Sequence, residues 1–387
     1  MKQLLLLTFL LASTSLLAQK PLVSVPFELF GDHIIIPVSV DDSEPLDFVF
    51  DSGDGITVLD EEIADQLELV KKKVILNEGT VYGSLIKHNK IEVGGFIIEK
   101  NINVYSTDLD HLEISLGREL DGILGYDLLK HHSVHIDYDK KIFDIYDLGV
   151  HPKQGDPVKF KLVNSIPVVE GKVILNNDEP HDGTFFIMTG AGTTMDFNSP
   201  YALQYDVVHK TGDHYKYLVK SISDIETPHY EGRVKSFTFG GQTLEDLPIG
   251  ISLATKGAQA HKKVSGIIGS QVLSRFNIII DLPTKTMYLE KNKSYGEAFV
   301  VNCSGLDVQL SPDKSKVLIH QVFENSQAEQ AGIKQNAELV SLNGKPASDF
   351  DMAEITKMLK KDGSSIDLVV RQDGAEKSVT LALKSLL

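Results

Sequence analysis

An internal repeat is the feature that most constrains the fold of this chain. Residues 48–55, FVFDSGDG, return later in the chain as residues 185–192, FFIMTGAG. Upstream of both copies the tripeptide IPV also recurs, at residues 36–38 and 166–168. A repeat of about 140 residues must supply its own core in each copy, so the sequence predicts two lobes built alike.

A second paired motif follows each copy in the same order. Residues 122–125 read GILG and residues 266–269 read GIIG. A short helix is predicted after each motif, over residues 126–131 and 270–276, and an apolar closing strand is predicted after each helix. This shared order makes chance similarity a poor explanation.

Composition points to a mainly β protein. The chain has 387 residues with 30 glycines, 14 prolines and a hydrophobic fraction of 42%. Apolar runs such as residues 34–36 and 278–280 are typical of strands, and the length favours several domains. A formal charge of −16 with no basic cluster argues against a nucleic-acid or anionic-membrane partner.

The first residues of the sequence have the pattern of a targeting signal. Lys2 precedes an apolar stretch over residues 4–17, and Ala18 closes it, which predicts a cleavable signal peptide over residues 1–18. No later run is long enough for a transmembrane helix. We therefore expect an exported protein, periplasmic or secreted, in which the single cysteine, Cys303, is a buried thiol without a disulfide partner.

The pattern changes after residue 292, where a third unit begins. Ser326 is placed to cap a short helix that exits at Gly332, and Asn343-Gly344 and Asp373-Gly374 predict tight turns. An amphipathic helix is predicted over residues 353–360. The sequence thus predicts a signal peptide at 1–18, a first lobe at 19–150, a second lobe at 151–292 and a third domain at 293–387.

These motifs together resemble those of a bacterial, two-lobed member of the retropepsin-like aspartic protease group with a C-terminal PDZ domain. The similarity rests on the Asp51-Ser52-Gly53 loop with its apolar lead-in, on residues 122–130 and on residues 326–344. It implies that each lobe is a small closed barrel and that the two lobes form a cleft. It further implies that an extended peptide or protein substrate lies in the cleft under flaps, and that facing aspartates hold a water.

The chain departs from that family at the second loop. Peptide hydrolysis by water needs a base and an acid, and two close carboxylates provide both by sharing one proton. Asp51 is the candidate base, with Ser52 and Gly53 as structural support. In the second loop Thr189 and Gly190 persist, but Met188 stands where the family has Asp. Since a thioether transfers no proton, the sequence leaves two functions open: an aspartic endopeptidase that relies on Asp51, or a pseudoprotease that binds peptides without cutting them.

Two routes could restore a second carboxylate. First lobes from two chains could pair as a homodimer with an Asp51–Asp51 dyad, although the tethered second lobe competes with this arrangement. Alternatively Asp54 or Asp196 could substitute, although each is expected to orient its own turn. We also expect Met188 to raise the pKa of Asp51 by desolvation.

Two peptide-binding segments are predicted outside the loops. Residues 79–84 form a hairpin tip that either covers a peptide, with Tyr82 and Gly83 as the flap, or is an ordinary exposed hairpin; Tyr230 to Gly232 are expected in the comparable stretch of the second lobe. The PDZ unit is expected to bind a peptide or protein C-terminus on the backbone of a loop that contains Gly305, Leu306 and Asp307. The alternative is that this domain only packs on the second lobe or gates the cleft.

No metal or other cofactor is predicted. His131, His132 and His135 lie close together in sequence but lack a carboxylate at zinc-site spacing, so we interpret them as solvated or capping residues.

Overall fold

The structure, a computed structural model, describes residues 19–76, 81–220 and 226–387. The predicted signal peptide lies outside these residues, as do Gly79 and Thr80 of the predicted flap. Within them the protein is mainly β with two similar lobes and a PDZ domain, which confirms the predicted fold class.

The first lobe is a closed barrel with short helices. Its elements are β1 (Val23–Pro26), β2 (Glu28–Phe30), β3 (His33–Val40), β4 (Leu46–Phe50), β5 (Thr57–Asp60), α1 (Glu61–Gln66), β6 (Lys71–Leu76), β7 (Val81–Val93), β8 (Phe96–Thr107), α2 (Asp110–Leu116), β9 (Gly122–Leu124), α3 (Tyr126–His131), β10 (His132–Asp137) and β11 (Ile142–Asp147). The strand order is β2-β3-β4-β9-β5-β8-β7-β6, and β3 also pairs with β7. That extra pairing closes the sheet into a barrel.

The second lobe repeats this plan. Its elements are β12 (Asp156–Lys159), β13 (Lys161–Val163), β14 (Ile166–Ile174), β15 (Pro180–Ile187), β16 (Met195–Phe197), α4 (Ser199–Tyr205), α5 (Val207–Lys210), β17 (Tyr215–Lys220), β18 (Glu226–Phe239), β19 (Gln242–Ser252), a 3-10 turn (Ala258–Ala260), β20 (Gly266–Ile268), α6 (Ser270–Leu273), β21 (Phe276–Asp281) and β22 (Thr286–Lys291). The order is β13-β14-β15-β20-β16-β19-β18-β17, closed by β14 on β18. The repeat in the sequence is therefore a repeat in topology.

A six-stranded sheet joins the two lobes at their base. Its order is β1-β11-β10-β21-β22-β12, so three strands come from each lobe, and β10 meets β21 through pairs such as Val134 with Ile280. Fully buried residues of both lobes, among them Ile136 and Phe276, belong to one continuous apolar core. Burial of that core against the shared sheet holds the lobes as one unit.

The PDZ domain has a core of its own. Its elements are β23 (Leu306–Leu310), β24 (Val317–Val322), α7 (Gln327–Gln330), β25 (Glu338–Leu342), β26 (Lys345–Pro346), a 3-10 turn (Ala347–Asp349), α8 (Met352–Leu359), β27 (Ser365–Gln372) and β28 (Ala375–Ala382). The separate apolar core begins at Cys303, which is buried as predicted, whereas Tyr295 and Phe299 still pack on the core of the lobes.

Local sequence signals explain most of these boundaries. The Ser326 side chain accepts from Glu329 N–H at the start of α7, and Asp351 forms a capping box with Glu354 at the start of α8. Helix α3 spans the predicted residues 126–131. The helix predicted over 270–276 is wrong at its end, because it stops at Leu273 and the fully buried Phe276 already begins the strand that enters the core.

Candidate active site

Asp51 lies at the end of a buried strand, as its apolar lead-in indicates. Strand β4 runs parallel to β9, and Asp51 N–H continues the ladder by donating to Leu124 O at 3.0 Å. A Cβ on Gly125 would lie 2.5 Å from Asp51 O, so the backbones can approach this closely only at glycine. The GILG motif thus serves to pack against the Asp51 turn.

Met188 has the same position in the second lobe. Strand β15 runs parallel to β20, and Met188 N–H donates to Ile268 O at 3.1 Å. Gly269 takes the place of Gly125, since a Cβ there would lie 2.6 Å from Ala191 O. The two loops therefore have the same backbone arrangement and differ in one side chain, which is Asp51 in the first loop and Met188 in the second.

Ser52 and Thr189 connect the two loops through four hydrogen bonds. Ser52 N–H donates to Thr189 Oγ1 at 2.9 Å, and Thr189 N–H donates to Ser52 Oγ at 3.2 Å. The two hydroxyls then donate to the opposite strands, Ser52 to Ile187 O at 2.8 Å and Thr189 to Phe50 O at 3.0 Å. Ser52 and Thr189 are fully buried, so these bonds hold the two loops face to face.

The Asp51 carboxylate is bound by amides of both loops. Gly53 N–H donates to Asp51 Oδ1 at 2.7 Å within the first loop, and Gly190 N–H donates to the same oxygen at 2.9 Å from the second loop. By the symmetry of the repeat, a carboxylate at position 188 would be the acceptor for Gly190 N–H. Since Met188 offers no such acceptor, the amide of Gly190 turns to Asp51.

The Met188 side chain packs on the first loop. A Cβ on Gly53 would lie 2.5 Å from Met188 Cγ and 2.6 Å from its Cε, and a Cβ on Gly190 would lie 2.5 Å from Asp51 Oδ2. Met188 of the second loop thus lies over Gly53 of the first loop, and Asp51 of the first loop lies over Gly190 of the second. A thioether and one carboxylate face each other where the aspartic protease family has two carboxylates.

Burial shifts the pKa values of the carboxyl groups at this site. Burial raises the pKa of Asp51, while the hydrogen bonds from Gly53 and Gly190 and the nearby His33 act in the opposite direction. Burial, together with the charge of Asp51, also raises the pKa of Asp54 to about 7. The expected rise for Asp51 is present, and its main cause is burial.

Asp54 and Asp196 both orient local structure. Asp54 Oδ1 accepts from Ile56 N–H at 3.2 Å. Asp196 is buried in the second lobe, where it accepts from Thr193 Oγ1 at 2.9 Å and from Gln259 Nε2 at 3.2 Å. The charge of Asp51 raises the pKa of Asp54, so Asp54 is the carboxylate that interacts electrostatically with the candidate site.

His33 is a site neighbour that sequence reasoning missed. Its Nδ1 is bonded to Gly31 O at 2.7 Å, and a Cβ on Gly192 of the second loop would lie 3.0 Å from its Cε1. Its charge lowers the pKa of Asp51. Because His33 precedes the Asp51 loop by a whole hairpin, no local sequence pattern links the two residues.

The predicted flap residues lie on the hairpin formed by β6 and β7. Tyr82 pairs with Ile75 and Gly83 pairs with Val74, and the tip at residues 77–80 lies outside the described part of the chain. The role of this hairpin over a peptide stays a prediction. In the second lobe Tyr230 to Gly232 lie in β18, which pairs with β17 as β7 pairs with β6, and their role as a flap stays a prediction as well.

The predicted PDZ loop has its amides occupied. Asn302 Oδ1 accepts from Ser304 N–H at 3.0 Å and from Gly305 N–H at 2.8 Å, and Leu306 N–H donates to Ser304 Oγ at 3.1 Å. Asp307 lies beside Gln321, whose side chain bonds to Leu218 of the second lobe. A peptide carboxylate would have to replace Asn302 at these amides.

The three neighbouring histidines make separate contacts. His131 lies 3.5 Å from Glu99, His132 is bonded to the carbonyls of Ile98 and Tyr146 and His135 is bonded to Asp144 at 3.1 Å. Among the described residues, no group of three or more His, Cys, Asp or Glu side chains is arranged to hold a metal ion. No helix in the same part of the chain has the length and apolar character needed to cross a membrane.

Two segments of the chain match models of known protein families. Residues 36–128 match the family model for aspartyl proteases, and residues 301–371 match that for PDZ domains. The carboxy-terminal processing protease CtpB of Bacillus subtilis is 26% identical over 102 residues, which are 26% of this chain and 21% of CtpB. CtpA of the same organism is 27% identical over 125 residues, which are 32% of this chain and 26% of CtpA.

This chain therefore spans about a fifth to a quarter of the length of these two curated relatives. Among solved structures, the aspartic proteinase from Irpex lacteus is similar with a TM-score of 0.45 and 15% identity, over 71% of this chain and 98% of that chain.

Proposed function

We propose that this chain, in which a retropepsin-like aspartyl protease fold is followed by a PDZ domain, binds extended peptides without hydrolysing them. The observation that carries this proposal is the binding of Gly53 N–H and Gly190 N–H to the same Asp51 oxygen, with Met188 packed on Gly53. Asp51 then serves as the acceptor that ties the two loops together.

The arrangement is poorly suited to activating a water. A base must take a proton from the water while a second group protonates the substrate oxygen or the leaving amine. Burial raises the pKa of Asp51, which disfavours the ionised carboxylate that a base requires, and Met188 supplies neither role. Loss of one acid or base typically lowers the rate by about 10²–10⁴-fold, which would leave little turnover.

A specific observation favours hydrolysis as the second candidate function. Asp54 has a pKa of about 7 and is coupled to the charge of Asp51, so the two carboxylates could share a proton as acid and base. In this alternative the chain is an aspartic endopeptidase whose pair of carboxylates comes from one loop. The bond from Ile56 N–H to Asp54 speaks for the structural role instead.

The test is cleavage of a diverse peptide pool by residues 19–387, read by mass spectrometry from acidic to neutral pH. We expect the wild-type chain to leave the pool intact and to retain some of its peptides on an affinity column. Cleavage that disappears in Asp51→Ala would overturn the proposal, and cleavage that also disappears in Asp54→Asn would establish the second candidate.

The remaining parts of the proposal concern partners and location. The PDZ domain supports binding of a second extended peptide or of a protein C-terminus. The apolar N-terminal stretch of the sequence supports export. Fractionation of cells that express the tagged chain tests the location.

A further inference from the structure

Helix α2 of the first lobe lies against the PDZ domain at the place where a peptide strand would add. Strand β23 is an edge strand, because it pairs only with β24 among the described strands, and α8 lies beside it. An extended peptide that joins the sheet needs the free edge of β23 at a spacing of about 4.8 Å. Resting on the peptide binding proposed above, we propose that α2 is a lid on this groove and that a bound peptide must displace it.

Helix α2 lies close to both elements that border the groove, β23 and the start of α8. Cα atoms of α2 lie within 8 Å of Cα atoms of β23. A helix has a diameter of about 10 Å with its side chains, so a helix packed beyond an intervening strand would lie more than about 8 Å from β23. The first lobe and a peptide strand therefore compete for one edge.

Apolar side chains of α2 pack beside the start of α8. Leu112 and Leu116 of α2 pack in the same apolar cluster as Ala353 of α8. Gly117 ends α2 with a φ of +80°, and a Cβ there would collide with Met352. The glycine thus allows both the left-handed end of the helix and its close approach to the PDZ domain.

An ion pair holds the other side of the lid. Lys314, in the turn between β23 and β24, lies 2.8 Å from Asp110 and also pairs with Glu113. Glu113 is buried, and its other oxygen accepts from Leu120 N–H at 2.8 Å. Removing Lys314 leaves a buried carboxylate without its cation, which loosens α2 specifically.

The test compares Lys314→Ala with Lys316→Ala in the full chain. Lys316 lies in the same turn, but its partner is Glu338 within the PDZ domain, so it is a matched control. The probe is a fluorescein-labelled peptide that ends in Val-Ala-Leu with a free carboxylate, and its binding is measured by fluorescence polarisation. Hydrogen exchange of the α2 amides reports the lid without any peptide. A second lid variant, Gly117→Ala, adds a Cβ against Met352.

We expect Lys314→Ala to exchange α2 amides faster and to bind the probe about tenfold more tightly than wild type, with Gly117→Ala in the same direction and Lys316→Ala unchanged. Faster α2 exchange with unchanged probe affinity would overturn the lid and leave peptide binding intact. Unchanged α2 exchange in both lid variants would also overturn the lid. If α2 loosens and no variant binds the probe, the peptide-binding function of the PDZ groove is wrong as well.

Discussion

Gly190 N–H donates to Asp51 Oδ1 at 2.9 Å across the boundary between the two lobes. Met188 offers no oxygen to this amide, and the Asp51 carboxylate accepts from the amides of both loops. One carboxylate therefore organises both loops.

Met188→Asp should restore a working pair. Two carboxylates at facing loops cannot both ionise easily, so they share a proton and divide the roles of acid and base. We expect peptide cleavage at acidic pH that exceeds wild type by about 10²-fold or more. Mass spectrometry of a digested peptide pool measures it, with the double variant Asp51→Asn, Met188→Asp as control. Cleavage that persists in the double variant would show that another group acts.

Asp51 should matter more to stability as an acceptor than as a charge. Asp51→Asn keeps an oxygen for Gly53 N–H and Gly190 N–H, whereas Asp51→Ala leaves both amides without it. We expect Asp51→Ala to lower the free energy of unfolding by about 2 kcal/mol and Asp51→Asn to lower it by less than about 1 kcal/mol. Urea denaturation at neutral pH measures both. Equal losses would mean that the charge itself is required.

Thr189 should be a principal tie between the lobes. Thr189→Val removes the hydroxyl that accepts from Ser52 N–H and donates to Phe50 O in a fully buried place. We expect a loss of about 2–4 kcal/mol in the free energy of unfolding, because two buried groups lose their partner. Thr189→Ser keeps the hydroxyl and is the matched control. A loss of similar size in both variants would point to packing of the methyl group instead.

Asp54 should make stability depend on pH. Its pKa rises from 3.8 to about 7 on folding, so its contribution is fully present below pH 3.8 and is lost as pH rises through 7. We expect Asp54→Asn to raise the free energy of unfolding at neutral pH on the order of 2 kcal/mol and to have little effect at acidic pH. Thermal unfolding across that pH range measures the effect, beside Asp213→Asn at an exposed loop position. A parallel shift at every pH would contradict the assignment.

The repeat in the sequence predicted two similar lobes, and the resemblance to the aspartic protease group implied that their loops face each other. Apolar residues before Asp51 and Met188 predict buried strands, and the paired glycine motifs predict what packs behind them. The predicted end of α6 was wrong, because the local helical pattern carries no information about the burial of Phe276 in the core. Local propensity yields to tertiary burial at such a boundary.

The contacts around the site could not be predicted in the same way. His33 of the first lobe approaches Gly192 because the two lobes face each other, and Lys314 meets Glu113 through the docking of a separate domain. Leu109 at the N-cap of α2 makes no side-chain cap hydrogen bond, and Asp110 N–H donates instead to Asp108 one residue earlier, so the start of α2 departs from the usual capping pattern. Such contacts join positions far apart in the chain, and no spacing rule encodes them.

The shared base sheet determines when this protein can finish folding. Strand β10 completes its hydrogen bonds only on β21, and the pair Val134 with Ile280 joins residues on either side of the whole second barrel. Contacts of such long sequence separation form slowly, because the entropy of loop closure must be overcome before they stabilise anything. A chain that ended after β11 would expose the edge of β10 as a template for aggregation. The base sheet therefore becomes complete only after the strands of the second lobe have formed, although each barrel sheet pairs within its own lobe.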